Sequence, residues 1–176
     1  TEYGTPMVAD LLVDDAGNYW LQDIYQQKVV ILSPDTLETV SEIQTIQSVS
    51  NSEKLMAKGS DGMVAVNTEE GIYTLYQSGS LAEKGTLKQE NGEHGQLCSD
   101  GSNWYTVSED GISRKQSGND ISEILMEGSM GAMGSPVNSP VSVVMGDKED
   151  FYVLYSQDKA GTNLLEYYVF DPSIPS

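Results

Sequence analysis

The chain has one cysteine, one histidine and one arginine among its 176 residues. Each scarcity removes a class of chemistry. Cys98 alone cannot form an internal disulfide or a cysteine-built metal centre. A Ser-His-Asp triad would have to use His94, in the segment Asn91-Gly92-Glu93-His94-Gly95, and no Gly-x-Ser-x-Gly elbow accompanies it. Arg114 alone cannot supply the arginine cluster that bidentate recognition of carboxylates or phosphates demands. Basic residues are few overall: Lys plus Arg is 9 against 27 acidic residues, a net charge of −18. Such a chain repels phosphate backbones and anionic membrane surfaces, which excludes nucleic acid as a partner class. No apolar run approaches the length of a membrane span, and no signal peptide is visible. The chain begins at Thr1 rather than Met, which points to a trimmed or processed polypeptide.

What is present is repetition. A unit recurs in which a short apolar strand meets a turn containing Asp-Gly or a close relative, followed by an aromatic or β-branched strand, a second polar turn, and two further strands. The second copy is the clearest. Lys54–Ala57, Met63–Val66, Ile72–Tyr76 and Ser80–Leu87 read as strands, separated by Ser60-Asp61-Gly62, Glu69-Glu70-Gly71 and Gln77-Ser78-Gly79. Glycine in these turns supplies the positive φ that tight hairpins need. The third copy follows the same order through Gln96–Cys98, Ser99-Asp100-Gly101, Trp104–Val107, Glu109-Asp110-Gly111, Ile112 and Ile121–Met126. The first runs Ala9–Val13, Asp14-Asp15-Ala16-Gly17, Tyr19–Leu21, Val29–Leu32, Ser33-Pro34-Asp35-Thr36 and Thr39–Ile46. The last runs Val141–Met145, Phe151–Tyr155 and Leu164–Phe170, with no fourth strand before Ser176. Asp15 to Asp61 is 46 residues, Asp61 to Asp100 is 39, and Asp100 to Asp147 is 47. These spacings straddle the period of about 40–45 residues of a four-stranded propeller blade.

The expectation is therefore an all-β chain: a β-propeller, or part of one, of four antiparallel blades at about 7–47, 53–88, 95–127 and 140–171, the last lacking its outer strand. Each blade alone would leave apolar surface in water, and radial stacking removes it.

With those turns in view, the chain resembles bacterial extracytoplasmic propeller repeats. The resemblance rests on the Asp-Gly turn before an aromatic strand and on Ser33-Pro34-Asp35-Thr36 after a hydrophobic one. It implies an exported or cell-surface setting, and it extends to the propeller-like modules of large solute-binding lipoproteins. Asp15-Ala16-Gly17-Asn18-Tyr19-Trp20 is similar to the Asp-box turn of sialidase-like propellers, with Val13 and Tyr19 in place of that motif's serine and threonine. Four-bladed haemopexin-like domains carry a closing disulfide that one cysteine cannot make, so the reading favours a segment of a larger protein.

Candidate chemistry is thin. Cys98 at a strand end reads as a small buried hydrophobe. The carboxylate pairs Asp14-Asp15, Glu69-Glu70, Glu109-Asp110 and Glu149-Asp150 read as solvated hairpin tips. They carry the rival reading of a carbohydrate-active enzyme, which needs two carboxyls across one cleft. Calcium is the one cofactor the residues suggest, near Asp14, Asp15 and Asn18. Gly128–Pro136 joins the third and fourth blades, and Met130 and Met133 there read either as a linker or as an adaptable apolar contact surface. No catalytic, ligand-binding or metal residue is assigned. The leading expectation is a non-catalytic binding or interaction module, with a protein, small-molecule or carbohydrate partner; the other rival is a structural spacer.

Overall fold

Turn chemistry places the hairpins, and the hairpins define the sheets. In the computed structural model, residues 7–47, 54–59 and 62–88 are described in full. Beyond them the description covers strand backbones between 96 and 170, with the side chains of 97–99, 103–106 and 114. Fifteen strands and no helix occur among the described residues. They form four antiparallel sheets, and the chain divides into two compact units, Thr1–Gly92 and Glu93–Ser176. No helix among the described residues is long and apolar enough to cross a membrane.

The first unit holds two sheets. One is β1 (Val8–Val13), β2 (Tyr19–Asp23), β3 (Lys28–Leu32) and β4 (Thr39–Gln44), in that spatial order. The other is β5 (Met56–Lys58), β6 (Met63–Glu69), β7 (Ile72–Gln77) and β8 (Glu83–Lys88), also in chain order. Side chains alternate between faces along a strand, and directly paired residues share a face. Trp20, Val29, Ile31 and Ile43 of the first sheet and Met56, Val64 and Val66 of the second form one buried cluster. Burying each such side chain stabilises by roughly 1.5–3 kcal/mol. Tyr76 leans on Trp20 across this interface, ring centroids 6.3 Å apart and planes inclined by 53°. Polar ties cross it too. The fully buried Gln22 accepts a hydrogen bond at Oε1 from the Leu55 N–H (2.9 Å), and the Ile46 N–H donates to the Asn67 carbonyl (3.3 Å).

The two sheets are the same object twice. The Asp14 N–H donates to the Asn18 carbonyl (3.0 Å), as the Gly59 N–H does to Met63 (2.8 Å). The Ser33 N–H donates to Glu38 and the Leu37 N–H to Ser33; Gln77 to Ala82 and Leu81 to Gln77 repeat that pattern. Leu37 and Leu81 both take left-handed backbone, at φ 58° and 54°. Superposing these turns matches Leu11 with Met56, Tyr19 with Val64, Leu21 with Val66 and Leu32 with Tyr76.

The second unit also holds two sheets. Its first comprises β9 (Gln96–Ser99), β10 (Asn103–Ser108), β11 (Gly111–Gln116) and β12 (Ser122–Glu127), consecutive strands being neighbours. Its second comprises β13 (Pro140–Met145), β14 (Phe151–Lys159) and β15 (Thr162–Phe170), three strands among the described residues. β13 lies against β9. The expected all-β architecture of antiparallel sheets of four consecutive strands is observed, the last sheet showing three among the described residues.

Some strand limits differ from the sequence expectation, for local reasons. Ser80–Leu87 was expected to be one strand, but β8 begins only at Glu83 because Leu81 in left-handed backbone closes the preceding turn. β4 ends at Gln44 rather than Ile46, since the Thr45 N–H turns to the Gln27 carbonyl and Ile46 crosses to the next sheet. β5 starts at Met56 rather than Lys54, the Leu55 N–H being taken by Gln22.

Candidate functional site

The β1–β2 hairpin bears the motif-like turn, and its geometry decides what that turn can do. Gly17 sits at φ 87°, a conformation costly for any residue with a Cβ, and its N–H donates to the Asp14 carbonyl (3.0 Å). The Asp14 carboxylate lies inside the turn. Its Oδ1 accepts from the backbone N–H groups of Ala16 and Asn18, both at 2.9 Å. Its Oδ2 accepts from the Asn18 side-chain amide (2.9 Å) and from the Trp20 indole N–H (3.0 Å). Burial pushes the Asp14 pKa up. The bonds from the Asn18 side chain, the Trp20 indole and the backbone of Asn18 and Ala16 outweigh it and hold the carboxyl below its usual value. A carboxylate committed to four N–H donors is a structural brace, and a poor general acid at neutral pH.

The sequence resemblance aligns Asp15 with the motif's aspartate; the carboxylate that braces this turn is that of Asp14. Asp15 points away, to Lys58 Nζ at 2.6 Å, while its N–H donates to Ser78 Oγ at 3.4 Å. Of the three residues expected near a calcium ion, Asp14 and Asn18 are joined to each other and Asp15 to Lys58. Asp14 faces N–H donors, Asn18 turns its amide nitrogen toward Asp14, and Asp15 pairs with a lysine. Among the described residues no group of three or more His, Cys, Asp or Glu is placed to hold a metal.

Around this brace the turns of both sheets gather at one end of the first unit. A Cβ on Gly79 would lie 3.3 Å from that of Ala16, and one on Gly62 would lie 3.4 Å from Asp15 Oδ2. A Cβ on Gly17 would lie 3.6 Å from Pro34. The Ser33–Glu38 turn is fixed internally, with the Asp35 N–H donating to Ser33 Oγ (3.3 Å) and the Glu38 N–H to Thr36 Oγ1 (3.3 Å). Asp15, Asp35 and Glu38 are exposed on these braced turns.

The opposite end is built differently. The buried Asp23 carboxylate accepts from the N–H groups of Tyr25 (3.0 Å) and Gln26 (3.1 Å), bracing the β2–β3 loop. That loop presents Tyr25, 75% exposed. Glu69 and Glu70 close the β6–β7 hairpin at this same end, where Glu69 pairs with Ile72. The pairs Asp14-Asp15 and Glu69-Glu70 are thus a strand length apart, roughly 15–20 Å, and do not flank one cleft. The pairs Glu109-Asp110 and Glu149-Asp150, His94, and Gly128–Pro136 lie outside the described residues. Cys98 is buried on β9, and Arg114 on β11 stands in register between Tyr105 and Glu123.

Sequence reasoning missed Gln22 and Leu37. A polar residue in an apolar strand and a leucine at the same offset in two turns were the available signals.

No protein-family model matches the chain, and no curated protein does. Solved structures match it as a fold. The hydrazine synthase of Kuenenia stuttgartiensis is similar over 95% of this chain and 47% of its own, with TM-score 0.61 and 13% identity. A streptogramin B lyase is similar over 90% and 53%, with TM-score 0.58 and 14% identity. The WD40 repeats of RRP9 are similar over 97% and 52%, with TM-score 0.61 and 11% identity. The chain spans about half the length of the structures it matches. They place its fold among the β-propellers.

Proposed function

We propose that this chain is a non-catalytic binding module of an exported or surface protein, and that its partner is a protein segment of basic character. The carrying observation is the pair of exposed acids Asp35 and Glu38 on a turn locked by side-chain-to-backbone hydrogen bonds. Rigid turns present charge without the ordering cost that a mobile loop incurs on binding. A net charge of −18 adds long-range attraction for a cationic partner. The likeness to WD40 repeats supports an interaction scaffold, and the resemblance of the turns to extracytoplasmic repeats supports the exported setting. Other propellers of similar fold are lyases, so fold alone does not choose between binding and catalysis; the commitment of Asp14 to bracing its turn supports binding.

The test is calorimetry of the full chain against an oligo-lysine peptide and against neutral oligosaccharides. Asp35→Asn with Glu38→Gln removes two charges at the braced end; Glu69→Gln with Glu70→Gln removes two at the other. The first pair should weaken peptide binding about tenfold and the second by less than about twofold. Equal losses would mean that net charge alone acts, and cleavage of an oligosaccharide would make the chain an enzyme.

A further inference from the structure

The matched turns of the first two sheets define which face of each sheet is which. The face of the second sheet that packs on the first carries Met56, Val64, Val66 and Tyr76, with Leu81 beside it. The same repeat positions in the first sheet are Leu11, Tyr19, Leu21, Leu32 and Leu37, and Val13 and Val30 lie on that face with them. These residues are as apolar as their counterparts, yet Leu11, Val13 and Leu37 are exposed and Tyr19, Leu21, Val30 and Leu32 are only half-buried. Met56 is 3% exposed where Leu11 is 54%, and Leu37 is 62% exposed where Leu81 packs on the core. Val13, at 43%, stands on the same face.

We infer that this outer face of the first sheet, centred on Leu11, Leu21 and Val30, is the seat of a further propeller blade of the same polypeptide. That blade would present the kind of face this sheet itself turns to the second, built on Trp20, Val29 and Ile31. Three observations select this occupant. The face repeats, position by position, an interface already formed inside the unit. It is small: four strands of about five residues cover roughly 300 Å², and even twice that falls below the ~800 Å² per partner of a stable free-standing complex. Association of two copies would also set −18 against −18. A covalently connected blade avoids both obstacles, because the connection raises its effective concentration to about the millimolar range. The seat has one distinguishing feature. Lys58, which pairs with Asp15 at the existing interface, is matched by Val13, so the incoming blade should carry an apolar residue where this one carries Asp15.

The experiment compares the full chain with an extended one. In the extension a second copy of residues 7–54, carrying Asp15→Val so that it meets Val13, is fused directly ahead of Asp10, which stands where Leu55 does in the next sheet. Leu11→Cys reports accessibility through its labelling rate, with the buried Cys98 as the slow internal reference. In the full chain Leu11→Cys should label rapidly, the chain should be monomeric, and Leu11→Asp should shift Tm by less than about 2 °C. In the extended chain labelling should slow about 100-fold and Leu11→Asp should lower Tm by about 5 °C or more. Equal labelling in both chains, or an added copy whose amides stay unprotected, would overturn the inference. So would a dimer of the full chain that Leu11→Asp dissociates, which makes the occupant a second copy. Slow labelling in the full chain would also overturn it, because the face would then be covered from within these residues.

Discussion

Asp14 shows how a single carboxylate can be decisive without being reactive. Its four N–H donors include the indole of Trp20, which has no exposure at all. Replacing Asp14 with Ala strands that buried donor and should cost about 3 kcal/mol. The pH dependence follows from the sign of the shift. Because the folded pKa is depressed, the contribution is fully present above the unfolded value of about 3.9 and is lost as pH falls through the folded value. Urea melts of Asp14→Asn and the parent should therefore differ at pH 7 and converge toward pH 2–3. A gap independent of pH would show that the carboxylate charge is not what braces the turn. Asp15→Asn, which removes only an exposed ion pair, should change stability by less than about 1 kcal/mol. The sequence marked this turn but not which of its two aspartates braces it. Two adjacent aspartates fit the spacing, and only the closed ring of hydrogen bonds separates the one that faces inward from the one that faces Lys58.

At the scale of the element, the hairpins were legible because their turn residues have few other uses. Gly17, Gly62 and Gly71 all take positive φ, and the strands between them alternate or run continuously apolar. The strand ends were less legible where a left-handed leucine closes a turn, since leucine carries no turn signal of its own. Leu37 and Leu81 adopt that backbone at a cost of roughly 1–2 kcal/mol each. They differ in what offsets it. Leu81 packs on the buried cluster, whereas Leu37 is exposed. Leu37→Gly should thus be neutral or stabilise by up to about 1 kcal/mol, the relief of strain exceeding the entropy that glycine adds to the unfolded chain. Leu81→Gly should destabilise by about 2 kcal/mol through lost packing. Equilibrium denaturation of the two variants side by side is the check, and equal effects would mean that Leu81 contributes no packing. Gln22 makes a related point between elements. Gln22→Leu preserves volume but leaves the buried Leu55 N–H without its acceptor, and should cost about 1–3 kcal/mol. No periodicity in the sequence could have shown that bond, because its partners lie in different repeats.

For the molecule as a whole, two electrostatic terms oppose each other and their sizes decide the response to salt. The described residues include two ion pairs, Lys28–Glu42 at 2.7 Å and Lys58–Asp15 at 2.6 Å. Salt weakens each, but an exposed pair contributes no more than about 1 kcal/mol. Against them stands the self-repulsion of 27 acidic residues with only 9 basic ones to compensate. That repulsion acts over distances comparable to the chain's own dimensions and falls steeply once the Debye length drops toward about 6–8 Å. With 27 acidic residues to 9 basic ones, like-charge pairs outnumber opposite-charge pairs across the chain, so screening should favour the folded state. Raising sodium chloride from about 20 to 300 mM should increase Tm by about 3–5 °C, with potassium chloride giving the same increase. A fall in Tm would mean that specific ion pairs outweigh the net charge. A rise with calcium chloride well beyond that given by sodium chloride of equal ionic strength would instead indicate a bound cation rather than screening. The acidic surface invoked for a basic partner is the one tested here, because the field that would draw that partner in is the field that opposes folding.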